Sequence, residues 1–270
     1  MGSERWGWIV PEGLWEIVRP LLPPARVRPQ GGGVANIDDE AVFAAIVYVL
    51  VSGCAWCSAA LFWSVEVDCA SSVPDLVEGR CLGTAVPEGA RDARRPGPDR
   101  PVSSGTRLRS RPRQKGGELA GPSPVDRGKP GSKMHVLSDA KGLPLRVGLS
   151  AANTHDSLGL KPMVAHFHVG HESHSDRFKP QRLHADKAYG VPDLRRWLHS
   201  QHIGVRIARK GIDSSERLGR RRWVIERTIS WLTGYRRLSP RYERHPRNYL
   251  AFLGLAAALC CYKRLAKLTM

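Results

Sequence analysis

Hydrophobic and polar positions divide the 270-residue chain into two patterned stretches with an unpatterned one between them. Residues 9–22 open with a turn and continue as a short helix. Leu14, Trp15, Ile17 and Val18 form its apolar face, and Pro20, Pro23 and Pro24 stop it. A glycine run, Gly31-Gly32-Gly33, leads to a second helix at roughly 39–52, almost wholly apolar through Val51 and therefore expected to be buried. Asp38, Asp39 and Glu40 offer a cap and negative charge at its positive end, and Gly53 ends it. These elements predict a small helical unit over residues 1–56.

The pattern is lost between Cys57 and Gln114. This span holds six prolines, nine arginines, three cysteines and no lysine, and neither helical nor strand periodicity persists in it. From Arg91 to Arg113 arginine alternates with proline, glycine and serine. Such a composition predicts an irregular, poorly folded or disordered segment, far longer than an ordinary loop.

Order is expected again from Lys115. Met134 to Asp139 and Pro144 to Ser150 read as two strands, joined by the hairpin-sized Ala140-Lys141-Gly142-Leu143. Asn153-Thr154-His155-Asp156 forms a turn, a helix covers Gly159 to Phe167, and a His-rich loop at 166–176 leads to a short strand ending at Asp186. The histidines of that loop have the look of a metal cluster but sit in a polar stretch that reads better as solvated. A helix at about 192–202 has Pro192 in its first turn, and a strand follows at 204–208. The last helix spans 246–265. Its apolar run from Tyr249 to Tyr262 is short for a membrane span, so a buried helix is expected. A hairpin followed by alternating helix and strand is an α/β pattern over 115–270.

One stretch organises this second half. Arg221 to Leu232 reads as an amphipathic helix of about three turns. Trp223, Ile225, Ile229 and Leu232 give its apolar stripe, and Trp197, Trp223 and Trp231 are expected in the core. Glu226 falls among the apolar positions, with Arg222 four residues before it. A carboxylate so placed is either tied down by an arginine or held ready for a metal.

Charge sharpens the picture. The net charge is +17, and residues 115–270 alone carry 29 basic against 12 acidic side chains. A basic excess confined to one domain points to a polyanion, most simply nucleic acid. The six cysteines follow no apolar leader, so a reducing cytoplasm is expected, and with a DNA partner a nucleoid association; no membrane partner is expected. Cys54-Ala55-Trp56-Cys57 has zinc-like spacing without a second pair.

Four motifs in order then carry a resemblance. They are Gly121-Pro122-Ser123-Pro124-Val125-Asp126-Arg127-Gly128-Lys129, Asn153-Thr154-His155-Asp156, His184-Ala185-Asp186-Lys187-Ala188-Tyr189, and Arg222-Trp223-Val224-Ile225-Glu226-Arg227-Thr228 with Gly234-Tyr235-Arg236-Arg237-Leu238. The sequence resembles bacterial insertion-sequence transposases of the DDE class, in the IS4/IS5-like superfamily, over roughly 9–56 and 115–265. The resemblance implies an RNase H-like catalytic core, a mixed sheet flanked by helices. It also implies that a first-strand Asp, Asp186 and Glu226 bind two divalent ions, Mg²⁺ or Mn²⁺. Hard oxygen ligands suit such ions, which cut and rejoin DNA by activating the attacking hydroxyl and stabilising the leaving oxygen. Lys187, Arg222, Arg227, Arg236 and Arg237 become candidate DNA contacts, and a homodimer on DNA is expected. The family's Tyr before the Arg is here Gly219, and its Lys after the Glu is Thr233.

The first Asp is missing. Its expected position is close to Arg107, and no carboxylate occurs between Asp99 and Glu118. The resemblance fades at Cys57 and returns at Lys115, the span whose composition is anomalous. A pair of compensating frameshifts accounts for both boundaries. With only Asp186 and Glu226, weak metal binding and impaired or absent strand transfer are expected, while DNA binding survives.

Overall fold

The computed structural model describes residues 6–22, 38–63, 102–105, 111–112, 118–165, 180–209, 212 and 219–269. The His-rich loop, the glycine run, Arg107 and the side chain of Arg222 lie outside the described residues.

Helix α1 is Leu14–Val18, α2 Asp39–Ser52 and α3 Trp56–Trp63. Asp38 occupies the N-cap position of α2 without a side-chain cap bond, so only the charges of Asp39 and Glu40 favour its start. Gly53 terminates α2 in the left-handed region at φ 72°, where its amide bonds the Val49 carbonyl and a β-carbon would press on Arg236.

A mixed sheet follows. Its strands are β1 Val102–Gly105, β2 Arg111–Pro112, β3 Gly121–Pro122, β4 Pro130–Ser138, β5 Pro144–Ala151, β6 Arg182–Ala185 and β7 Gly204–Ile207. The long strand β4 pairs antiparallel with β5 through the expected hairpin and, further along that edge, with β3; β1 and β2 pair with it along the other edge. β1 runs parallel to β6, and β6 parallel to β7. The hairpin turn is closed by Asp139, whose amide bonds the Leu143 carbonyl and whose carboxylate accepts from the amides of Lys141 and Leu143.

The expectation of an irregular segment over 57–114 needs revision at three places. Most of α3, all of β1 and all of β2 fall inside it, and β1 lies between β4 and β6. Val102-Ser103-Ser104-Gly105 has no apolar alternation to announce a strand. A strand paired on both sides takes its backbone hydrogen bonds from its neighbours, so its own pattern need not specify it.

Helices cover both faces. Helices α4 Asp156–Ala165 and α5 Pro192–Ser200 pack on one, where Leu137, Leu160, Val164, Leu183, Leu194, Leu198 and Ile207 form a core. Helices α6 Gly219–Thr233 and α7 Pro246–Thr269 cover the other, with Met134 and Val136 beneath Ile225, Ile229 and Phe252. The same core takes in Leu14, Phe43, Ile46 and Leu50, so α1 and α2 close over the far side of α7. Within α7, Pro246–Lys267 is long and apolar enough to cross a membrane by length and composition. Here Tyr249, Phe252, Leu253, Ala256 and Leu259 are buried in the protein core, as the sequence predicts.

The α4 face also buries polar groups. Lys133 and His135 alternate with Met134 on β4 and point toward α4. Lys133 Nζ pairs with Asp156 at 2.8 Å and donates to the Thr154 carbonyl at 2.5 Å. His135 Nε2 lies 2.7 Å from Ser150 Oγ, and its ring packs against Gly159, where a β-carbon would clash. Burial holds His135 down at about 4; Asp156 pulls upward against this and Lys133 adds to the lowering. Between pH 6.5 and 4 the unfolded chain therefore binds a proton that the folded chain refuses. Stability is expected to fall as pH falls through that window, by roughly 3 kcal/mol from this group, and to level off below it. Urea titrations across the window check this: His135→Gln should show a shallower loss than wild type.

Candidate functional site

β6 delivers Asp186 to its C-terminal end. Asp186 is exposed and caps a 3-10 turn, Lys187–Tyr189, with Oδ1 accepting from the Lys187 amide at 2.7 Å. The turn buries Tyr189, whose hydroxyl has no hydrogen-bond partner. Its acidity is suppressed by desolvation first and by the charges of Asp156 and Asp186 next. Lys187 is half-buried.

Strand parity decides which face Asp186 serves. Leu183 points into the α4–α5 core together with Leu137. His184 therefore turns to the opposite face, and Asp186, two residues further in extended backbone (φ −68°, ψ 161°), turns with it. That is the face of Met134 and Val136, against which Ile225 and Ile229 of α6 pack. Asp186 and the helix bearing Glu226 thus share one side of the sheet. Glu226 is half-buried on the flank of α6.

The register of β1 fixes which residue lies beside Asp186; Arg107, near which the first Asp is expected, lies outside the described residues. Val102 pairs with Leu183 and Ser103 with His184. Continued one for one, that register sets Gly105 beside Asp186, while Gly105 pairs on its other side with Val136. A glycine thus occupies the place on the central strand next to Asp186. Among the described residues, no group of three or more His, Cys, Asp or Glu side chains is placed to hold a metal ion.

The candidate DNA contacts divide. Arg236 is exposed on the 3-10 turn Arg236–Leu238. Arg227 donates from Nη2 to the Lys141 carbonyl at 2.7 Å and lies 4.4 Å from the Trp223 ring centre and 4.9 Å from that of Trp231. Trp223, expected in the core, is 52% exposed and forms the outer end of this stack. Arg237, expected at a phosphate, is buried: Nε pairs with Glu243 Oε1 at 2.7 Å and Nη1 donates to the Cys54 carbonyl at 2.7 Å. Its guanidinium is occupied in joining the α2–α3 connection to the segment after α6.

Sequence reasoning passed over Arg241. Its side chain is fully buried, at 0% exposure, and donates to the Ser132 hydroxyl and to the carbonyls of Glu118 (3.1 Å), Leu119 (3.2 Å) and Glu243 (3.2 Å). The sequence Arg241-Tyr242-Glu243-Arg244 carries no apolar alternation to mark it; only in the fold do buried Arg241 and Glu243 alternate with exposed Tyr242 and Arg244, as in an extended segment lying against a core.

Asp186 at a strand end and Glu226 on a helix over the same face are thus two carboxylate positions on one side of a mixed sheet. The family model for a "Transposase DDE domain" matches residues 104–261, starting inside β1, and a model of inferred transposases of the IS4/5 family matches residues 10–60. The chain belongs to the DDE transposase family. It is 38% identical over 194 residues, covering 71% of this chain and 92% of the other, to the inferred transposase of insertion sequence element IS402 from Burkholderia cepacia. No solved structure matches it. Membership makes the chain an insertion-element transposase, in a family that acts on DNA and uses divalent metal.

Replacing Arg237 by alanine leaves Glu243 buried without its partner, and a loss of roughly 3–5 kcal/mol is expected in urea denaturation. Arg236→Ala, at the exposed neighbour, should stay within about 0.5 kcal/mol.

Proposed function

We propose that this transposase has an RNase H-like core and works by divalent-ion DNA strand cleavage and transfer, in a form crippled at one ligand. The mixed sheet with helices on both faces supports that core. The shared face of Asp186 and α6 is the observation that carries the site assignment. Two carboxylates suit Mg²⁺ or Mn²⁺ by chemistry, but Gly105 in the third corner leaves the set short, and metal sites tolerate little incompleteness. Asp186 and Glu226 would hold the ions, which when bound supply activation of the attacking hydroxyl and neutralisation of the leaving oxygen. Around them Arg222 would orient Glu226 or meet a phosphate, and Lys187, Arg227 and Arg236 would meet backbone phosphates. A homodimer on paired element ends, acting in the cytoplasm at the nucleoid, completes the reading.

The same glycine favours a second reading, a non-catalytic DNA-binding protein that competes with active relatives at their ends. One assay separates the two. With element-end duplexes and Mg²⁺, wild type is expected to bind and to cut little or nothing, and Gly105→Asp to raise cleavage well above it. Robust turnover by wild type would remove the impairment. Binding with no gain in Gly105→Asp supports the competitor, and cutting that survives Asp186→Asn would sink the site assignment. The gene offers a cheaper check. Translating codons 57–114 in the other two frames is expected to restore a strand with an Asp aligned to 105–107; failure in both frames ends the frameshift explanation.

A further inference from the structure

A short arm, residues 118–132, stands out from the end of the sheet that carries Asp186. β4 runs antiparallel to β1 and β6, and its Val136 pairs with Gly105, which the continued β1–β6 register sets beside Asp186. From Val136 back to Pro130 the strand runs on past that carboxylate by roughly 20 Å, at about 3.3 Å per residue. There β3 joins it, with Gly121 opposite Gly131 and Pro122 opposite Pro130, and residues 123–129 make the tip.

The arm is fixed both at its root and within its tip. At the root, buried Arg241 donates to the carbonyls of Glu118 (3.1 Å) and Leu119 (3.2 Å), and the Ser132 hydroxyl donates to that of Leu119 at 2.6 Å. In the tip, Ser123 is 1% exposed, and its Oγ accepts from the amides of Val125 (3.3 Å) and Asp126 (3.2 Å). Its amide donates to the Lys129 carbonyl at 2.9 Å, and its carbonyl accepts from the Gly128 amide at 3.0 Å. This frame presents Val125, 71% exposed, with Arg127 and Lys129, to solvent. Arg127 stands at φ 49°, in the left-handed region where glycine is at ease and an arginine is strained. Among the described residues, no hydrogen bond or ion pair occupies its guanidinium.

A strained arginine on a rigid, projecting tip is a side chain kept in place for a partner. A phosphate contact tolerates a mobile cation, whereas reading a base edge needs a donor fork held to within about 0.5 Å. We propose that the tip of this arm enters a DNA groove and reads base edges, with the Arg127 fork matched to guanine O6 and N7 and Val125 in apolar contact beside it. The proposal rests on the transposase reading. It makes the arm the part that recognises sequence some base pairs from the cut, and Arg127 a specificity residue distinct from those that meet backbone phosphates.

The test uses the full chain and labelled duplexes, one carrying an element end and one of random sequence, in anisotropy titrations. Wild type is expected to prefer the element end. Arg127→Gly removes the fork and suits the left-handed backbone, so it should melt close to wild type. It is expected to weaken binding of the element end roughly tenfold and to leave the random duplex nearly unchanged. If it melts early, Arg127→Asn, also tolerant of that region and too short to reach as far, takes its place with the same expectation. Arg196→Gln, an exposed charge on α5, should leave the ratio of the two affinities unchanged. An equal loss on both duplexes in a folded variant reduces Arg127 to a backbone contact and overturns the proposal. No loss on either overturns it as well, and a change in self-association in its place would make the tip a contact between two copies of the chain. A matching loss of preference in Arg196→Gln also overturns it. A wild-type chain that binds both duplexes equally removes the arm as a reader and leaves the transposase reading standing; one that binds neither removes both readings.

Discussion

Two buried guanidiniums fix the relation between the helices and the sheet. Arg237 and Arg241 follow α6 and precede α7, the two helices that cover the face carrying Asp186. Arg237 ties this connection to the Cys54 carbonyl beyond α2, and Arg241 ties it to Ser132 on β4 and to the carbonyls at 118 and 119. A buried cation is costly unless its donors are met, so these bonds act as an all-or-none latch more than as a sum of small gains. With the latch closed, α6 has one position over β1 and β4. The place of Glu226 on the sheet follows from that position.

Polar groups play a comparable part on the opposite face. Lys133, Asp156, His135 and Ser150 form a buried pair of contacts between β4, β5 and the start of α4. They hold α4 to the sheet where an apolar layer would allow it to slide. The cost is an imidazole kept neutral against its ordinary tendency by burial, its ring packed against Gly159 of α4.

Much of this was legible in the residues. The boundaries of α2 follow from an apolar run bracketed by acids and Gly53, and the β4–β5 hairpin from two strand-like runs around Lys141-Gly142. The pair Asp186 and Glu226 emerged from motif order, and strand parity then set Asp186 and α6 on a common face. Three features were hidden, each for a physical reason. β1 is specified by its neighbours' backbones, so a four-residue segment of valine, serine and glycine gave no periodic signal. Arg237 and Arg241 look like solvated charge until Glu243 and the carbonyls around them are assembled from distant segments. Trp223 belongs to the apolar stripe of its helix by spacing, yet a guanidinium and not the core covers its ring.

The placement of α7 has a consequence for how the chain acquires its shape. Helix α2, with Phe43, Ile46 and Leu50 buried, shares its core with the 3-10 turn Arg236–Leu238 and with α7, segments that come some two hundred residues later in the chain. During synthesis those side chains wait, uncovered, until the α7 segment emerges. Closure of the core is therefore a late and long-range event, with a correspondingly large loop-closure term, and the nascent N-terminal helices are the part of this molecule most in need of a chaperone.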